Sequence, residues 1–235
     1  IPDSVIVSTI APEVVPGAAK LWLADREFLG IQNPAAIMPQ PLQPMMKSLL
    51  ELLATTTEAT FKEDLHTLAS ILAKLAECGI FSSGEGEGAT DIFTKLSSPG
   101  FLSSFMGVLH SNDRVDDVAE EVLEVAIGMF GGELEAIEIP EFDSEEFAPF
   151  AEDVYTVINS AESKDTYEEK LEGLATSLKS TLEKHNLELG YAECVILGEY
   201  ILQKGIPEGT AEDVVRSYFD DLKELIDNYS ATHAE

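Results

Sequence analysis

From Met45 onward, apolar side chains recur at the spacing of an α-helix. Phe61, Leu65, Leu68, Leu72, Leu75 and Ala76 stand at i, i+4, i+7, i+11, i+14 and i+15, a single stripe. Glu63 and Asp64 fall in its first turn, where the helix dipole favours carboxylates, and Gly79 closes it. A further helix is expected ahead of it, over 45–54. Residues 82–90 (Ser-Ser-Gly-Glu-Gly-Glu-Gly-Ala-Thr) read as a flexible loop, because three glycines lose too much backbone entropy in regular structure. Short helices follow near 91–96 and 100–110.

The next helix separates its faces most clearly. Val115, Val118, Val122, Val125, Ala126 and Met129 line one side, and Asp113, Asp116, Asp117, Glu120, Glu121 and Glu124 the other, with Gly131-Gly132 expected to end it. Further helices are expected at 149–161, 165–185, 188–204 and 210–229. Residues 191–202 are apolar nearly all round, which places that helix centrally. Lys204-Gly205-Ile206-Pro207 is a stop signal, and Thr210 caps the last helix.

The first 43 residues differ from the rest. Residues 5–10 form a β-branched run that predicts a strand or an extended arm. Prolines at 12, 16, 34, 39, 41 and 44 then allow at most one helix, over 18–29. Val5, Ile6, Val7, Ile10, Trp22 and Phe28 are the candidate contact residues of this arm, which either lies across its own core or is donated to a neighbour. The organisation that follows is a Pro-rich arm (1–43), a first helical half (44–132), an acidic linker (133–149) and a second helical half (150–235).

Thr60-Phe-Lys-Glu-Asp-Leu-His-Thr-Leu-Ala-Ser-Ile-Leu72 aligns without a gap on Thr166-Tyr-Glu-Glu-Lys-Leu-Glu-Gly-Leu-Ala-Thr-Ser-Leu178. Amphipathic helices share Leu at i, i+3 and i+7 anyway, but they require neither the Thr-aromatic-x-Glu start nor the Leu-Ala-Ser/Thr triplet. The match therefore reads as a duplicated helical hairpin, and such units need neighbours to bury their apolar faces. The expected fold is all-α: a multi-helix bundle of two stacked helical-hairpin halves with an extended N-terminal arm.

Charge narrows the partners. With 44 acidic side chains against 14 basic ones, the formal charge is −30, which opposes binding to nucleic-acid phosphates and to anionic membrane surfaces. No apolar run is long enough to span a bilayer. Salt or divalent cations would screen the self-repulsion, which suits a secreted, surface-exposed or virion setting. The start at Ile1 is expected to mark removal of a preceding segment. Cys78 and Cys194 lie in separate helical patterns and are expected as buried free thiols.

Candidate chemistry is sparse. Glu85, Glu87 and Asp91 in the glycine loop, and Asp113, Asp116, Asp117 and Glu120 on the acidic helix, are weak candidates for Ca²⁺; a convex helix face cannot wrap such an ion, and the twelve-residue calcium-loop pattern is absent. His66, His110, His185 and His233 lack the spacing of a zinc site, and His185 is expected to cap a helix C-terminus. Nucleophile-elbow and phosphate-cradle motifs are missing, so no resident cofactor and no enzymatic activity are expected. The expectation is a non-catalytic structural or interaction protein that acts through self-association or a basic partner. The alternatives are a cation- or small-ligand-binding helical domain and a hydrolase using a carboxylate pair.

Overall fold

The computed structural model describes residues 13–38, 42–77, 100–137 and 139–232. The run containing Val5, Ile6, Val7 and Ile10, the glycine loop with Glu85 and Glu87, the short helix beginning at Asp91, Cys78 and His233 lie outside the described residues. The described residues are 74 % helical and form no strand, so the all-α expectation holds. Two compact units divide it: Ile1–Phe101 with Phe105–Val122, and Leu102–Ser104 with Leu123–Glu235.

The first unit opens with helix α1 (Val14–Leu23), earlier than the expected 18–29. Pro16 is tolerated because it stands in the first turn, where no intrahelical N–H bond is needed. The helix stops before Phe28 because the chain turns sharply: Asp25 takes a φ of 55°, and the Arg26 amide closes on the Leu21 carbonyl at 2.8 Å. Ala18 and Ala19 are buried, and α1 packs against α2 (Gln43–Ala54), so this part of the leader covers its own unit. After a 3₁₀ turn (Pro34–Ile37), α2 buries Met45, Met46, Leu49, Leu50, Leu52 and Leu53.

Helix α3 (Phe61–Glu77) presents a different face from the one its apolar stripe predicts. Asp64, Thr67 and Ile71 are buried beside Phe61, Leu65 and Leu75, while Leu68 and Leu72 are half-buried and Ala76 is exposed. Polar groups can occupy that face because each finds a partner there, as described below.

Helix α4 (Phe101–Leu109), a 3₁₀ turn (Asp113–Val115) and helix α5 (Asp116–Glu135) follow. The acidic face of α5 is solvent-facing at Asp116, Asp117, Glu120 and Glu124, as its pattern requires. Gly131-Gly132 does not end it. A Cβ on Gly131 would lie 3.4 Å from Ile226, within ordinary van der Waals contact. The helix runs on to Glu135 despite the cost of about 1 kcal/mol for an interior glycine.

In the second unit, α6 (Phe147–Ala161), α7 (Tyr167–Lys184), α8 (Tyr191–Lys204) and α9 (Ala211–Thr232) pack as neighbours, with α7 against both α6 and α8 and α9 against α6. Leu171, Leu174, Ala175, Leu178 and Leu182 form the buried stripe of α7. Gly198 permits its close approach to α8, since a Cβ there would sit 3.2 Å from Leu171. Helix α8 is the central one its sequence predicts, buried from Cys194 through Ile201. Residues 133–149 belong to this unit. Phe142 lies edge-on to Phe147 at 5.0 Å, and the Arg216 guanidinium of α9 sits 4.6 Å above the Phe142 ring.

Candidate functional site

Three places concentrate chemistry. The first is a buried polar hub in the first unit. The α2–α3 turn delivers Thr56, α3 delivers Asp64 and Thr67, and the turn after α4 delivers Asn112 and Arg114. The fully buried Asp64 carboxylate accepts from Thr56 Oγ1 at 2.5 Å, Asn112 Nδ2 at 3.1 Å and Arg114 Nε at 3.2 Å. Asn112 also donates to Thr67 Oγ1 at 3.2 Å, and its own Oδ1 accepts the Arg114 amide at 3.0 Å. Every carboxylate oxygen therefore has a donor, which is what burial of a charge demands.

The second is a cleft that opens beside this hub. Its volume is about 250 Å³, and it is lined by Ser48, Glu51, Leu52 and Thr55 of α2 and by Arg114, Asp117 and Val118. Arg114 joins hub and cleft: Nη2 donates to Thr55 Oγ1 at 3.2 Å and to the Leu52 carbonyl at 3.5 Å, while the side chain keeps 32 % of its surface exposed. The guanidinium is thus held rigidly at the protein surface.

The third is the turn that follows α1. Phe28 and Ile31 exchange both backbone hydrogen bonds, at 3.0 and 2.9 Å, around Leu29 and Gly30, whose φ values are 51° and 75°. Positive φ at both central positions is what a type I′ turn requires. Leucine is a poor residue for it, because its Cβ crowds the backbone in the left-handed region. The turn is clamped all the same: the Trp22 indole donates to the Ile31 carbonyl at 3.0 Å, its ring meets Phe28 edge-on at 6.1 Å, and Asn33 donates to the Trp22 carbonyl at 3.0 Å. Leu29 and Ile31 stand outside this clamp, 84 % and 56 % exposed.

The residues singled out from sequence are placed unevenly. Trp22 and Phe28 brace the apolar turn from within, whereas Leu29 and Ile31 form its tip. Asp113, Asp116, Asp117 and Glu120 are exposed, Asp117 borders the cleft, and among the described residues no three His, Cys, Asp or Glu side chains gather as a metal site. His185 occupies the C-cap of α7, but its Nε2 lies 2.8 Å from Asp153 Oδ2, which also accepts from Lys184 at 3.0 Å. The hydrogen bonds from Lys184 and His185 hold the Asp153 carboxyl below the usual carboxylate range. Cys194 is a free, buried thiol pushed up to about 12 by desolvation, which keeps it protonated and a poor nucleophile.

The hub and the cleft are what a reading of the sequence misses. Asp64 had a signal: three residues after Phe61 and one before Leu65, it falls inside the buried arc of α3. Arg114, Thr55 and Ser48 have none, since only the fold brings them together. No family model matches this chain, and neither a curated protein nor a solved structure matches it. No described helix is long and apolar enough to cross a membrane.

Proposed function

We propose that this is a non-catalytic interaction protein that presents the turn at Leu29–Ile31 to a positively charged protein partner. The observation behind the reading is the exposed leucine held in a left-handed conformation by a braced turn. Such strain costs on the order of 1–3 kcal/mol and persists only where the surroundings over-determine it, which is typical of recognition sites. A contact ordered before binding loses little entropy on association. The charge of −30 selects the partner: a basic surface is attracted over long range, whereas a second copy is repelled until salt screens the field.

Leu29→Asn separates contact from folding, because asparagine tolerates the left-handed conformation and removes the apolar tip. A photo-cross-linker at Gln32, beside the tip, should couple to one basic partner in the native milieu. That coupling should disappear when Leu29→Asn is added, while thermal stability holds or rises. Cross-linking of equal yield with and without the Leu29→Asn substitution would remove the turn from the function.

A further inference from the structure

The cleft between α2 and the start of α5 has a fixed floor and an unmatched rim. Asp64 and Thr55 hold the Arg114 guanidinium by Nε and Nη2, which leaves Nη1 without a partner among the described residues. Glu51 and Asp117 on the rim form no ion pair among those residues. Leu52 and Val118 supply apolar wall between them, and the hydroxyls of Ser48 and Thr55 complete the lining.

We propose that this cleft binds a small zwitterion, a molecule with an ammonium and a carboxylate on the same carbon, as in a free α-amino acid. A bare anion would meet Arg114 but be repelled by Glu51 and Asp117. A bare cation would meet those carboxylates but face the guanidinium. Only a ligand carrying both charges satisfies both, its carboxylate on the Nη1 N–H groups and its ammonium on the rim, through charge-assisted hydrogen bonds. The apolar wall takes a short side chain. The volume, about 250 Å³, lies below the roughly 300–1,000 Å³ of clefts that enclose drug-sized molecules, so the ligand is small. This binding is separate from the Leu29–Ile31 contact and does not depend on it.

Titration of the full chain with L-alanine, alanine methyl ester and N-acetylalanine, followed by amide NMR shifts, tests the assignment. Alanine should bind saturably and shift the amides of Thr55 and Val118. The ester, which lacks the carboxylate, and the N-acetyl compound, which lacks the ammonium, should each bind about tenfold more weakly. Glu51→Gln with Asp117→Asn should weaken alanine by about the same factor, whereas Glu58→Gln with Asp143→Asn, an equal charge change elsewhere, should not. An ester as tight as alanine makes this a cation site, and an N-acetyl compound as tight makes it an anion site; either overturns the proposal. So does the absence of saturable binding by a sample whose helical circular dichroism is intact.

Discussion

Helices α3 and α7 start with the same Thr-aromatic-x-Glu signature and carry leucines in the same register, yet they bury different chemistry. At the three positions where α3 buries Asp64, Thr67 and Ile71, α7 has Lys170, Gly173 and Ser177. The inward face of α7 is a plain Leu/Ala stripe against α6 and α8. The buried carboxylate near it comes from α8, where Glu199 accepts from the Tyr167 hydroxyl at 2.6 Å and from Gln203 at 2.7 Å. A shared amphipathic pattern thus decides that a helix forms and roughly which side turns inward. It does not decide whether that side is held by dispersion and desolvation alone or by a polar network whose parts depend on one another.

The largest consequence is energetic. Removing one partner of an ion pair costs about 3–5 kcal/mol where the other is left buried, and less where, as for Arg114, it keeps contact with water. Asp64→Ala should therefore destabilise the protein by about 2–3 kcal/mol, since it takes one acceptor each from Arg114, Asn112 and Thr56, although each keeps another partner and Arg114 stays in contact with water. The matching change in the other copy, Lys170→Ala, should stay within about 0.5 kcal/mol. Urea denaturation of both variants measures the difference, and equal losses would mean that the two hairpins are held in the same way.

A smaller contrast lies at the helix starts. Thr166 caps α7, its hydroxyl accepting the Glu169 amide at 3.2 Å. The matching Thr60 hydroxyl accepts the Thr57 amide at 3.0 Å and lies 3.1 Å from Thr56 Oγ1, so it serves the α2–α3 turn. Thr166→Ala should cost about 1 kcal/mol and speed hydrogen exchange in the first turn of α7. Thr60→Ala should speed exchange in the 55–60 turn and leave the first-turn amides of α3 as they were. The same exchange pattern in both variants would erase the distinction.

The smallest effect is one of pH. Asp153 has a lower pKa in the folded chain than its usual value of 3.8. A depressed carboxyl contributes stability that is present above the unfolded-state pKa and is lost as the pH falls through the folded-state value. With 35 % of the Asp153 side chain exposed, solvent screening limits the contribution to a few tenths of a kcal/mol. Asp153→Asn should remove that part of the acid-limb slope below about pH 4, while Glu152→Gln, one residue away, should leave it. Parallel stability–pH curves for wild type and Asp153→Asn would show that the Asp153–Lys184–His185 cluster contributes nothing.

Some of this molecule is legible residue by residue. The helix stop at Gly205, whose φ is 73°, and the cap at Thr210, whose hydroxyl accepts the Asp213 amide at 3.3 Å, are local events that a few neighbouring residues decide. The continuation of α5 through Gly131-Gly132 to Glu135 runs against the local signal, since glycines there favour a helix stop. The cleft is still less legible, since Ser48, Glu51 and Thr55 are ordinary surface residues of α2 until Arg114 is brought against them.

By itself, the order of residues determined that the chain is helical, where several of its helices begin and end, and how acidic its surface is, because these follow from backbone propensity, periodicity and a sum of charges. Tertiary structure alone decided that Asp64 would be buried with Arg114, and that Leu29 would be held outward in a left-handed turn. The physical reason is that the energy of a buried charge or a strained backbone depends on partners that only folding brings within about 3 Å, the range of a hydrogen bond.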